Sequence, residues 1–193
     1  MKVFEKVAVL SVMLGLLLRI LLIPIGSDVI FYGLLAVTFL YFYFGFVLLN
    51  EVRIKDVFKK STYAKIPSWH MVGGIACGLA LSMVSVGVLF KLRGWFGAET
   101  NLIPGLISLI VITVISIVKR KGNHPEFYGR VLSRTIVAIV FCILFLLIPR
   151  YTFLKIFYRD KPGVIEAIDN SIKDPTNPEL NKKVSEELKK LHG

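Results

Sequence analysis

Long apolar runs alternate with short clusters of charge along this chain. The runs cover residues 7–23, 29–49, 71–90, 102–118 and 131–148. Each approaches the ~20 mostly apolar residues that a helix needs to cross ~30 Å of hydrocarbon. Lipid offers no partner to backbone N–H and C=O groups, so such a run must satisfy its own backbone as a helix. The pattern predicts an all-α, polytopic integral membrane protein, with five transmembrane helices forming a bundle over residues 1–150.

Beyond Ile148 the pattern changes. Residues 151–158 mix aromatic and apolar side chains with Lys155, as suits a helix end lying among headgroups. Pro162 fits a helix start, and Val164, Ile165, Ile168 and Ile172 then share one face. The stretch DPTNP, residues 174–178, predicts a turn, with Asn177 capping a last helix and Pro178 at its first position. Leu180, Val184, Leu188 and Leu191 form a narrow apolar seam on that helix, supported by Glu179–Lys183 and Glu186–Lys190 at i,i+4. A helix pair this small buries little apolar area alone. Residues 151–193 are therefore expected to be an interfacial segment and polar helical tail resting on the bilayer, the spans or a partner.

Charge orients the bundle. The chain is 55% hydrophobic with a formal net charge of +11. Short loops rich in Lys and Arg stay in the cytoplasm. The N-terminus and the segments 50–68 and 119–134 hold twelve cations, among them Lys65; the two connections between them hold only Lys91 and Arg93. That places the N-terminus in the cytoplasm and, after five spans, the tail in the periplasm. Adding Arg150, Lys155, Arg159 and Lys161 of the tail leaves the sign unchanged. The first run resembles a signal peptide, but Arg19 interrupts it and no small-x-small site precedes Pro24, which predicts an uncleaved span. Cys77 and Cys142 fall inside separate spans as small packing residues, so no disulfide framework is implied.

Within the third span, Gly74, Gly78 and Ser82 recur every four residues on one face. Small residues let helix backbones approach closely, so this stripe is read as a packing face, with Leu81 turned to lipid. The aromatic residues 39–44 close the second span, where rings favour the membrane interface.

Chemistry is sparse. His70, His124 and His192 are isolated, and no metal, paired-cysteine or phosphate-loop motif is present. The predicted spans hold no carboxylate: Asp28 lies at a boundary and Glu51 beyond the second run. The reading assigns no catalytic, cofactor-binding or metal-binding residue and no nucleic acid. Arg19 is the clear charge within a span, worth about 2.5–3.5 kcal/mol of insertion cost at a helix centre. It is expected to snorkel to the outer interface, with Asp28 as partner; a buried arginine reading a phosphate or carboxylate is the sharper alternative.

Residues 87–116 carry Gly87-Val88-Leu89-Phe90-Lys91, then Trp95-Phe96-Gly97-Ala98, then Gly105-Leu106. This resembles the transmembrane hairpin of the GldL family, the gliding-motility and type IX secretion motor subunits of Bacteroidota. The resemblance implies a bacterial inner membrane and a hairpin whose connection faces the periplasm, the side the cation count also gives. It departs from the family pattern at two places. Phe96 stands where a proline is usual, and Leu109 stands about where the functional glutamate belongs, so the proton-driven role does not carry over.

Lys91, Arg93 and Trp95 are then an outer-interface belt, cations reaching headgroups, with Glu99 pairing with either cation. Together with Arg19 and the seam residues Leu180, Val184 and Leu188, they are the candidate interaction residues. The expected function is that of a non-enzymatic inner-membrane protein acting through protein–protein contacts. It would be an accessory or assembly subunit of an envelope system, or an immunity-type protein. A small transporter, channel or motor-related subunit is the alternative. The expected partners are the bilayer and another membrane or envelope protein; oligomeric state is not fixed by the sequence.

Overall fold

The computed structural model describes residues 1–64, 66–122, 125–149 and 151–190, with Ile54 described by its backbone alone. Lys65, His124, Arg150, Leu191 and His192, named above, lie outside the described residues.

Five long helices come first: α1 (Lys2–Ile20), α2 (Gly26–Leu49), then, after a 3-10 turn at Ile54–Asp56 and the short α3 (Lys60–Tyr63), α4 (Ser68–Arg93), α5 (Ala98–Arg120) and α6 (Pro125–Leu147). Three shorter helices follow: α7 (Thr152–Phe157), α8 (Pro162–Lys173) and α9 (Pro178–Lys190). No strand occurs among the described residues. Helices α2, α4, α5 and α6 are long and apolar enough to cross a membrane. Helix α1 differs from the predicted run 7–23. It starts five residues earlier, taking in Glu5 and Lys6, and it ends at Ile20, where Leu22 turns to a φ of 61° ahead of Pro24. It carries four charges, Lys2, Glu5 and Lys6 in its first turns and Arg19 in its last.

The bundle is centred on α2 and α4. Helix α1 packs antiparallel on α2, α5 packs on α4, and α6 packs on α5 and α4. The α2–α4 contact is close enough that a Cβ on Gly45 would lie 2.6 Å from the Cα of Gly78. Gly74 meets Phe46 and Asn50 of the same neighbour, and buried Ser82 donates to the Leu79 carbonyl at 2.8 Å. The stripe thus lies at a helix contact within the chain, facing a glycine on α2 that the sequence reading did not single out. Leu81 does not face lipid: it is 4% exposed. Because α4 has α2, α5 and α6 around it, little of its surface is left for the bilayer.

The α4–α5 connection is made by two glycines in the left-handed region. Gly94 (φ 68°) caps α4, with the Trp95 N–H reaching back to the Phe90 carbonyl at 2.8 Å, and Gly97 (φ 84°) precedes α5. Gly94 also has no room for a side chain, since a Cβ there would lie 2.4 Å from a methyl of Leu154 on α7. The turn thereby carries the tail. Beyond it α8 and α9 pair, burying Val164, Ala167 and Ile168 against Val184 and Leu188. The Asn177 side chain caps α9 by accepting the Glu179 N–H at 3.0 Å. Inside the pair, Ser171 and the Tyr151 hydroxyl both donate to the Asn181 side-chain oxygen, at 2.8 and 2.9 Å.

Candidate functional site: a cleft clasped at both ends

The interaction residues expected from the sequence are mostly used up inside the chain. Lys91 does not reach headgroups: its side chain is 2% exposed and lies 3.6 Å from Glu99. Arg93 folds back on α2, over the ring of Phe31 at 4.9 Å, 3.7 Å from Asp28 and donating to the Ser27 carbonyl at 3.4 Å. Trp95 is half exposed and packs edge-on against Phe90. The belt arrangement fails for these cations because the tail folds back over the turn. Ser185, Leu188 and Lys189 of α9 enclose a cavity of about 640 Å³ with Arg93, Trp95 and Phe96. The seam is likewise not an open docking strip. Val184 and Leu188 are buried and Leu180 is half-buried, because α8 occupies the face that was assigned to a partner.

Arg19 corrects a second expectation. It neither snorkels nor pairs with Asp28; it is buried, with its guanidinium 4.2 Å from the Tyr158 ring centre and 5.9 Å from that of Phe157. Asp28 is taken by Arg93 instead. Arg19 Nε has no hydrogen-bond partner among the described residues, so aromatic faces supply the contacts seen for this cation.

That contact ties α1 to α7 at one end of the bundle. The other end is closed by a charge clasp that the sequence reading missed. Arg134 of α6 grips Glu5 of α1 as a fork, Nε to Oε1 and Nη2 to Oε2, both at 2.7 Å. The Tyr41 hydroxyl of α2 donates to the same carboxylate at 2.6 Å, and Arg134 Nη1 donates to the Arg130 carbonyl at 3.1 Å. Paired parallel N–H···O bonds between ionised groups are among the strong polar contacts in proteins. Both side chains are about 85% shielded, Glu5 at 14% exposed and Arg134 at 15%. Tyr41 accordingly points inward, although its neighbours Phe39, Phe42, Tyr43 and Phe44 are exposed as an interfacial cluster would be.

A second layer lies beyond the clasp. Lys2 bonds to Glu51, which also lies 3.4 Å from Arg130, and Arg130 donates to the Leu49 carbonyl at 3.0 Å. The Lys2 hydrogen bond, assisted by Arg130, holds the Glu51 carboxyl below the usual carboxylate range. At the opposite end α7 lies across the bundle: it touches α1 and α4, and its Phe153 stacks on Phe145 of α6 at 5.0 Å.

Between these two closures α1 and α6 stand apart, each packed on other helices. They flank a cleft of about 570 Å³ whose floor is α2 and α4. Its walls are apolar, with Val9 and Met13 on one side, Val137 and Phe141 on the other, and Val37 and Val84 beneath. Charged groups line only the clasp end, where Glu5, Lys6 and Arg134 meet Tyr41 and Ser133; on the floor Ser85 spends its hydroxyl on its own helix, donating to the Leu81 carbonyl at 3.0 Å. Volumes of about 300–1,000 Å³ with apolar walls and a few converging polar groups are typical of small-molecule sites. The arrangement is suited to hold an amphipathic molecule, polar end at the clasp.

The histidine and cysteine placements are structural. His70 is buried and stacks on Phe127 at 4.2 Å. Cys77 and Cys142 are buried and unpaired, Cys142 directed at the Leu102 carbonyl at 3.4 Å. Leu109 is fully buried on α5. Among the described residues no group of three or more His, Cys, Asp or Glu is placed to hold a metal ion.

A sequence signal for the clasp existed. Arg134 lies inside the fifth apolar run, and Glu5 is the only acid before Asp28. An arginine within a span normally requires a partner. Comparison of the chain with known protein families, characterised proteins and solved structures finds no match.

Proposed function

We propose that this chain is a five-span protein of a bacterial inner membrane that works by binding rather than by catalysis. Its cleft between α1 and α6 holds one acyl chain of a membrane lipid. The observation that carries this reading is a laterally placed apolar cleft closed at both ends, by the Glu5–Arg134 clasp and by α7. A partner's transmembrane helix would have to run past both ends of the bundle and would collide with those closures. A flexible chain enters from the side and leaves them intact. In the cell this is an accessory role within an envelope system, with the bundle interior rather than the tail seam as the working surface.

Two features support counting α1 as the fifth span. Its 19 residues reach ~28 Å at 1.5 Å per residue, and it runs antiparallel along α2. Its acid and the arginine of α6 neutralise one another, which lowers the cost of placing either in lipid. The bacterial assignment rests on the hairpin resemblance of residues 87–116, and the orientation on the cation count. In intact cells, an impermeant thiol reagent should label Ser27→Cys and Ser185→Cys and spare Ser61→Cys until lysis. Labelling at 61 with protection at 27 overturns the orientation; labelling at 27 with protection at 185 removes a span.

The lipid-chain reading is tested by filling the cleft. Native mass spectrometry of protein extracted in mild detergent should show one retained phospholipid. Ala138→Trp, which puts an indole into the cleft wall, should lose it. Val114→Trp, on the exposed face of α5, should keep it. Equal retention in both variants rules the cleft out as the lipid site.

A further inference from the structure

Resting on that lipid-chain reading, we infer that Lys6 makes the cleft selective for phospholipids with an anionic headgroup. The charges in and next to the clasp include Lys2, Glu5, Lys6, Glu51, Glu126, Arg130 and Arg134. Glu5 and Arg134 satisfy each other as a fork, with Tyr41 completing the carboxylate. Lys2 and Arg130 are drawn to Glu51, and Arg130 also lies 3.8 Å from Glu126. Lys6 is different: it lines the cleft, is exposed and makes no ion pair among the described residues. Among the described residues that line the cleft, Lys6 is therefore the cation that no acid compensates.

The position of that charge sets the ligand's orientation. From Lys6 to Leu16 the α1 wall of the cleft runs ten residues, ~15 Å along the helix axis. A chain lying along this wall puts its glycerol and phosphate at the level of Lys6 and its methyl end toward α7. Ser133, also at this end, donates its hydroxyl to the Arg130 carbonyl at 3.1 Å, which leaves Lys6 as the donor facing the headgroup. By the cation count this is the cytoplasmic end, where the leaflet carries anionic lipids and each nearby Lys or Arg contributes about fivefold to their attraction. A zwitterionic headgroup brings its own cation to Lys6 and forgoes most of that gain.

The experiment compares phosphatidylglycerol and phosphatidylcholine of identical chains, titrated into delipidated protein in neutral detergent at low salt and read by native mass spectrometry. The wild-type protein should take up one lipid with about a fivefold preference for phosphatidylglycerol. Lys6→Gln should still bind one lipid but without preference, and Lys6→Arg should restore the preference. A wild type without preference, or a Lys6→Gln variant that keeps it, overturns the assignment to Lys6 while leaving the acyl-chain reading in place. If Ala138→Trp binds phosphatidylglycerol as well as wild type does, the chain is not in the cleft and both fall. A wild type that retains no phospholipid and instead holds another membrane protein one-to-one would assign the cleft to a helix and overturn the inference.

Discussion

Replacing Glu5 by alanine should destabilise the folded protein by about 3–5 kcal/mol, the range for removing one partner of a buried ion pair. The loss is large because the guanidinium of Arg134 cannot shed its proton and stays charged in a site only 15% exposed. In the native chain its Nε and Nη2 both end on Glu5. Without the carboxylate those donors face the apolar cleft. Titration of the purified protein with SDS in mixed micelles, followed by circular dichroism, should show the unfolding midpoint displaced to lower SDS. Removing both charges together, as Glu5→Leu with Arg134→Leu, should recover most of the loss, since two well-packed apolar groups often match a buried ion pair. Tyr41→Phe removes only one hydrogen bond to a charged acceptor and should cost about 1.5–3 kcal/mol. A Glu5→Ala protein as stable as wild type would sink the clasp as a structural closure and, with it, the reason for excluding a helix from the cleft.

Substitution of Gly78 should be the next most damaging change. A Cβ at this position would lie 2.5 Å from the Tyr41 carbonyl oxygen and 3.1 Å from the Gly45 Cα. Both obstacles are backbone, so no side chain can swing aside and α2 must move away from α4. Overpacking of this kind costs about 1–3 kcal/mol, and Gly78→Leu should reach or exceed the upper figure, with Gly78→Ala lower in the range. The displacement also moves Tyr41, whose hydroxyl completes the clasp 36 residues away in sequence from Glu5. Gly129→Ala on α6 is the matched control. Nothing lies within 4 Å of the Cβ it would add, and alanine is favoured over glycine in a helix by about 0.8–1 kcal/mol. The two alanine variants should therefore shift the same SDS midpoint in opposite directions. Equal, small shifts would remove close backbone approach as the determinant of the α2–α4 contact.

Which segments would be helices, and where most of them end, was legible in the sequence for a local reason. An apolar run long enough to cross hydrocarbon leaves the backbone one way to satisfy itself, and Asn177 and Pro178 mark their turn by their own conformational preferences. Even the small-residue stripe of α4 could be read, because backbone proximity demands small side chains on both partners. The partner itself, Gly45 on α2, could not be read.

The tertiary structure decided what each charge does. In the sequence Glu5 and Arg134 lie 129 residues apart, and their meeting depends on α1 and α6 lying on the same side of the α2–α4 pair. Arg19 reads as a residue near an interface until α7 folds over it and brings Tyr158 to 4.2 Å. Val184 and Leu188 read as a free seam until α8 covers them. The cleft itself is a property of two helices that do not pack along their length, so no single segment encodes it. Hydrophobicity fixes the solvent of a residue and the helix it belongs to, both of which are local. The partner of a charge and the space between helices depend on contacts between distant segments, and those exist only in the assembled bundle.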